Sequence, residues 1–174
     1  EALIGENQFQ PGNCDYFCRQ ATGIGTLKKF IPISFFAGDE NTVDAAFVKS
    51  STLLVSNRIY EIGTPVGSGR NPRLFENVKK SGRTTGVTYG FVSDVNVTVD
   101  VWYVFCEDWD ARFINQVIVE TDLPPFIQGG DSGSPPVSAT REPLGLLFAA
   151  NADGTFNVGN PIPAVLQALG VRIF

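Results

Sequence analysis

One short segment of the 174-residue chain combines residue types that could do chemistry together. It reads Gln128-Gly129-Gly130-Asp131-Ser132-Gly133-Ser134-Pro135. Glycines on both sides of the Asp-Ser pair permit a tight turn that exposes the Ser132 hydroxyl and lets backbone N–H groups converge beside it. Acyl transfer benefits from this arrangement, because one loop then presents a nucleophile and stabilises an oxyanion. The simpler alternative is a Gly/Ser-rich turn between two strands.

Runs of apolar and β-branched residues predict the strands that must hold this loop. Five segments in the second half of the chain show this pattern: 86–92, 95–105, 112–120, 144–150 and 155–158. The first two predict a hairpin about Ser93-Asp94, because their side chains alternate on either side of this pair. Asn160, with Pro161 just inside, predicts a helix that runs to about Leu169 and ends at Gly170.

The first half of the chain shows weaker patterns. Residues 1–22 are typical of a loop, 27–36 form a strand-like run that Pro32 interrupts, and 43–54 are mostly apolar. The Gly- and Pro-rich stretch 62–75 is the best candidate for a linker. We therefore expect an all-β chain with a first domain at 1–75 and a second at 76–174.

Composition excludes several classes of protein. Apolar residues make up 43% of the chain and charged residues 18%, which excludes a disordered chain. No run of 18 apolar residues is present, so we expect no membrane span. Lys plus Arg number 13 and Asp plus Glu number 18, a net charge of −5 that lacks the basic patch of a nucleic-acid-binding protein.

Two residue types are missing altogether, namely methionine and histidine. Because the chain begins at Glu1 and has no Met, we expect that it does not begin at a translation start. Without His, these residues cannot supply an imidazole base or metal ligand.

Cys14, Cys18 and Cys106 allow at most one disulfide, and a metal site would need a fourth ligand. We expect no metal or organic cofactor.

The segment Gly130-Asp131-Ser132-Gly133-Ser134-Pro135 resembles the nucleophile loop of the chymotrypsin/trypsin-like serine peptidases. Further segments resemble the bacterial trypsin-like members, in family order from about Gln10 to the end: 41–46, 80–90, 145–149 and 160–166. The resemblance implies a trypsin-like double β-barrel with an incomplete first barrel and a C-terminal helix. It also implies hydrolysis of a protein or peptide substrate.

The resemblance assigns roles to three positions. Ser132 would be the nucleophile, and the backbone N–H groups of Gly130 and Ser132 would form the oxyanion hole. Asp44 would orient the base, in preference to Asp15 or Asp39, because its apolar neighbours favour partial burial. An exposed carboxylate at a strand end is the simpler interpretation of Asp44.

Two features near the nucleophile stay open. In zymogen-activated relatives the equivalent of Asp131 pairs with a new N-terminal amine, but Glu1 does not resemble that terminus, so the partner of Asp131 is unassigned. The resemblance places Phe126, Phe148 and Ala149 at the specificity pocket. With no carboxylate there, we do not expect a preference for Lys or Arg substrates. Packing of Phe126 in the core is the competing interpretation.

The family places its base histidine before the aspartate, in a segment that would precede Gln10. The preferred interpretation is a serine peptidase cut between its His and its Asp, inactive alone, whose partner is its own cleaved N-terminal segment. The cut could be made by the peptidase itself. One alternative is a non-catalytic relative that binds a partner in the same cleft. The other is a structural β protein whose loop matches by accident.

Overall fold

The computed structural model of the protein describes residues 3–10, 22–104 and 108–173. Within these ranges the chain is mostly β-structure and ends in a helix, which confirms the predicted fold class. Cys14, Cys18, Cys106 and Asp15 lie outside the described residues. The elements are β1 (Asn7–Gln10), β2 (Thr22–Phe30), β3 (Ala46–Lys49), β4 (Asn77–Gly82), β5 (Gly86–Val104), β6 (Asp108–Glu120), β7 (Gly145–Ala150), β8 (Phe156–Pro161) and α1 (Ile162–Leu169).

The strands pair into two antiparallel sheets. The first has the order β1-β2-β3, and the second has the order β4-β5-β6-β8-β7. The sheets fall on either side of the predicted boundary between 1–75 and 76–174, and that division stays a prediction. No helix in the described ranges has the length and apolar character needed to cross a membrane.

The predicted hairpin about Ser93-Asp94 is wrong, because β5 continues through this point and pairs with β6 from Phe91 to Val104. The pairing register shifts between Val92 and Asp94 and again between Val95 and Val97. Asn96 has a φ of 57°, in the left-handed region that Asn tolerates. These polar residues therefore mark bulges, which bend a strand without ending it. The result is one long β5–β6 ribbon.

The described residues form two buried apolar clusters, and β7 lies between them. Leu147 belongs to the cluster of the second sheet, whereas its neighbour Leu146 packs against the other cluster. This alternation follows from the two-residue period of a strand. The other cluster joins α1 to the segment before β3 through Val43 and Ala45. The C-terminal helix thus holds the segment that carries Asp44.

Helix α1 ends at Gly170 as the sequence predicts, but it begins one residue later than expected, because Ile162 is its first residue and Pro161 is the N-cap. Pro161 precedes its first residue, where the missing N–H costs nothing. Gly170 has a φ of 72° and closes the helix with hydrogen bonds from its N–H to Leu166 O and Gln167 O. Asn160 lies before the helix, and its side chain contacts Asp44 instead of capping α1.

Candidate active site

The loop from Gln128 to Ser134 presents Ser132 at the surface. Asp131 N–H donates to Gln128 O at 2.9 Å, and Ser134 N–H donates to Asp131 O at 3.0 Å, so two turns meet at the Asp-Ser pair. Gly130 and Gly133 have φ values of 96° and 88°, which other residues rarely adopt. The sequence predicted a tight turn that requires glycine at both positions.

The strand β7 anchors the loop and fixes the position of the serine. Gly133 N–H donates to Leu147 O at 2.7 Å, and Leu147 N–H donates to Ser134 O at 3.1 Å. The exposed Ser132 Oγ lies 3.5 Å from Phe148 O, at the long limit for a hydrogen bond. The serine hydroxyl is therefore held only weakly and can turn toward another acceptor.

The two predicted oxyanion donors are the N–H groups of Gly130 and Ser132. In the described part of the chain, neither N–H has a hydrogen-bond acceptor. A Cβ added at Gly130 would overlap the guanidinium of Arg83, which is the end of a flexible side chain and can shift, so the φ of Gly130 is what requires glycine here. An arginine side chain thus covers one side of the loop next to the predicted oxyanion hole.

Asp131 is the buried anchor of the loop, with 1% of its surface exposed. Its Oδ1 accepts from the N–H groups of Thr84, at 2.6 Å, and Thr85, at 3.3 Å. Its Oδ2 accepts from Thr85 Oγ1 at 2.7 Å and from Gln128 N–H at 3.0 Å. Burial alone would raise the pKa of this carboxyl, but these hydrogen bonds and the charge of Lys80 hold the pKa below its usual value.

Lys80 is the cation that pairs with Asp131, the partner that the sequence left unassigned. Lys80 Nζ lies 3.5 Å from Asp131 Oδ2, and neither side chain is exposed. Nζ also donates to Thr85 Oγ1 and to Gly86 O, the latter at 3.0 Å. Burial lowers the pKa of Lys80, and Asp131 offsets only part of this effect.

Sequence reasoning missed Lys80, although a signal was present. Lys80 follows Val78 at the inward-facing register of β4, and both side chains are buried. A lysine at such a position is almost never buried without a partner. A cation from within the chain therefore neutralises Asp131, and the described loop does not depend on an N-terminal amine.

Asp44 lies before β3 and is half buried. Its backbone is bracketed by Asn160, whose Oδ1 accepts from Asp44 N–H at 3.1 Å and whose Nδ2 donates to Asp44 O at 3.0 Å. Tyr103 Oη donates to Asp44 Oδ2 at 2.8 Å. Within the described residues, Asp44 Oδ1 accepts no hydrogen bond.

A cavity of about 430 Å³ lies beside Asp44. Its walls are mainly apolar, and Asp44 is the only carboxylate among the described residues that line it. Tyr103 and Phe35 line the same cavity. The alternative candidate Asp39 lies elsewhere, on the rim of a separate groove, where its Oδ2 accepts from Ser34 Oγ at 2.5 Å. Of the two candidate aspartates within the described residues, Asp44 is therefore the one whose carboxylate is partly enclosed.

A second depression, of about 570 Å³, adjoins Ser132. Phe148 and Ala149 line it, as the resemblance implied, and none of the lining residues that the structure describes is charged. Phe126 does not line it. That ring is fully buried in the core of the second sheet, so the pocket role of Phe126 is corrected to the competing one of core packing. The next residue, Ile127, lines the depression instead.

Solved structures resemble this fold, whereas no protein-family model and no curated protein gives a significant match. A glutamic acid-specific serine protease that uses a histidine triad in substrate binding matches with a TM-score of 0.61 and 26% identity, covering 88% of this chain and 75% of that one. Chymotrypsin of Cellulomonas bogoriensis matches with a TM-score of 0.59 and 22% identity, over 88% and 79% of the two chains. Protease A of Thermobifida fusca matches with a TM-score of 0.63 and 19% identity, over 99% and 98%.

Proposed function

The chain has the fold of the bacterial chymotrypsin/trypsin-like serine proteases, and on that premise we propose that it hydrolyses peptide bonds through an acyl-enzyme on Ser132. The observation that carries the proposal is the loop around Ser132. Its serine is exposed, and the neighbouring Asp131 forms a buried ion pair with Lys80. The N–H groups of Gly130 and Ser132 have no acceptor among the described residues. A plain turn would not need this buried ion pair.

The proposed reaction follows from the chemistry of a weak nucleophile. Ser132 Oγ attacks the substrate carbonyl carbon while a base removes its proton, and the oxyanion accepts hydrogen bonds from the two N–H groups. The base then gives the proton to the leaving amine, and water hydrolyses the ester by the same route. An imidazole is suited to both proton transfers near neutral pH.

The imidazole cannot come from these 174 residues, which contain no histidine. We therefore propose that the chain alone is inactive and that a His-bearing polypeptide segment, its own N-terminal segment in the first instance, completes the site. The cavity beside Asp44 supports this proposal, because it is mainly apolar and its carboxylate oxygen Oδ1 accepts no hydrogen bond from the described residues. An imidazole that donates to this oxygen would be fixed in one tautomer.

Fluorophosphonate labelling tests the proposal directly. The Oγ–P bond forms as fluoride leaves and the base takes the proton, so labelling reports an activated serine. The chain extended by the residues that its coding sequence specifies before Glu1 should be labelled, and the 174-residue chain should be labelled far more slowly. Ser132→Ala should abolish labelling, whereas Ser134→Ala, in the same loop, should retain it. Absence of labelling in both forms would favour the non-catalytic binding module.

The depression beside Ser132 bears on substrate choice. Because none of its lining residues is charged, we propose that the residue on the acyl side of the cleaved bond is small or apolar. A peptide library presented to the extended chain should be cut after uncharged residues. Preferential cleavage after Lys or Arg would contradict this part of the proposal.

A further inference from the structure

Tyr103 connects the β5–β6 ribbon to the segment that carries Asp44. Its hydroxyl donates to Asp44 Oδ2 at 2.8 Å, across 59 residues of sequence. Its ring meets the ring of Phe35 edge to face, with centroids 5.6 Å apart and planes at 86°. This is a favourable aromatic geometry, so the ring contact fixes the direction in which the hydroxyl points.

The phenol is suited to remain a donor. Burial and the negative charge of Asp44 raise the pKa of Tyr103 above its usual value, so the hydroxyl stays protonated through the neutral and mildly alkaline range. Hydrogen bonds to a charged acceptor are among the stronger ones in proteins. The bond therefore persists under the conditions in which an imidazole base is neutral.

The two oxygens of Asp44 have different surroundings. Tyr103 occupies Oδ2, whereas Oδ1 accepts nothing from the described residues, and the carboxylate lines the apolar cavity. Asn160 holds the backbone N–H and C=O of Asp44, which leaves rotation of the carboxylate as the main remaining freedom. A donor on one oxygen removes that freedom.

We propose that Tyr103 is a positioning residue, whose hydroxyl holds Asp44 Oδ2 so that Oδ1 receives the N–H of the incoming imidazole. This inference rests on the proposed function, since it concerns the carboxylate of the same site. It adds a residue from outside the motifs that resemble the family. The competing role for Tyr103 is packing alone, through the ring contact with Phe35.

The variant Tyr103→Phe separates these roles, because it keeps the ring and removes only the hydroxyl. Added imidazole replaces the missing base, and the rate of fluorophosphonate labelling of the 174-residue chain is measured against imidazole concentration. We expect the imidazole-dependent rate to fall about 10- to 100-fold, the effect of losing a hydrogen bond to a charged group. The slow imidazole-independent rate should not change, because it does not use Asp44. Tyr89→Phe, an exposed tyrosine of the same strand, should match the wild type in both rates.

A spectroscopic measurement tests the hydrogen bond without any activity. Ultraviolet titration should show one phenol, identified by its loss in Tyr103→Phe, that stays protonated up to the pH of alkaline unfolding, and Asp44→Asn should lower the pKa of this phenol. Labelling of Tyr103→Phe at the wild-type imidazole-dependent rate would overturn the inference and leave the proposed function standing. The proposed function, and the inference with it, would be overturned if the wild-type chain were not labelled under any condition. These conditions are the 174-residue chain alone, the same chain with imidazole, and the chain extended by its upstream residues.

Discussion

Replacement of Lys80 by methionine should destabilise the protein more than any other single change at a lysine in the described ranges. Methionine keeps much of the side-chain volume but removes the cation that lies 3.5 Å from Asp131 Oδ2. Both side chains are fully buried, so solvent cannot take over the role of the lost partner. The carboxylate of Asp131 would remain at the base of the nucleophile loop without its counter-charge.

The structure sets the size of the effect. Removal of one partner from a buried ion pair typically costs about 3–5 kcal/mol. The lower value, about 3 kcal/mol, is expected here, because Asp131 retains four hydrogen-bond donors: Thr84 N–H, Thr85 N–H, Thr85 Oγ1 and Gln128 N–H. In a domain of this size such a loss lowers the melting temperature by roughly 6–12 °C.

Urea unfolding at pH 7, followed by tryptophan fluorescence, measures this loss. Lys79→Met, the neighbouring half-buried position on β4, is the matched control and should stay within about 0.5 kcal/mol of the wild type. The double variant Lys80→Met/Asp131→Asn should cost about 2 kcal/mol less than the sum of the single variants. A loss below about 1 kcal/mol for Lys80→Met, with no coupling to Asp131, would refute the importance of the pair.

The pair also determines how stability depends on pH. The folded pKa of Asp131 is lowered, so its contribution is complete above the unfolded value of about 3.9 and is lost as the pH falls below that value. Without Lys80 the folded pKa of Asp131 rises toward its unfolded value, so Lys80→Met, which is already less stable at pH 7, should lose less additional stability as the pH falls. Acid unfolding profiles of the two proteins measure this difference, and coincident profiles would contradict it.

Three further predictions concern positions around the loop and Asp44. Gly82→Ala should lower the unfolding free energy by about 1–3 kcal/mol in urea titration, because its Cβ would lie 2.6 Å from Asp131 Cγ. Asn160→Ala should cost about 2–4 kcal/mol by the same measurement, because it removes the hydrogen bonds to both backbone groups of Asp44. Arg112→Gln breaks a solvent-exposed pair with Asp100, so the urea midpoint should not change measurably.

The part of the site that depends on local conformation could be predicted from sequence. Gly130 and Gly133 both adopt positive φ, as a tight turn around Ser132 requires, and residues this close in sequence form the turn on their own. The end of α1 at Gly170 is predictable for the same reason. The catalytic roles of Ser132 and Asp44 stay predictions.

The features that sequence could not supply depend on distant partners. Lys80 and Tyr103 acquire their roles from Asp131 and Asp44, which the fold brings to them from other elements. The turn-like Ser93-Asp94 pair is compatible with a hairpin or with a bulge. It forms a bulge here because β5 pairs with β6 on both sides of it. Phe126 could line a pocket or pack in the core, and only the tertiary structure places its ring in the core.

The central claim is that Ser132 and Asp44 form an active site that lacks only an imidazole. Mass spectrometry of the 174-residue chain, after fluorophosphonate treatment with and without imidazole, tests it most directly. One adduct should form on the peptide that contains Ser132, imidazole should accelerate it at least about tenfold, and Asp44→Asn should remove most of that acceleration. An adduct on another serine, or labelling of Ser132 that is indifferent to both imidazole and Asp44, would contradict the claim.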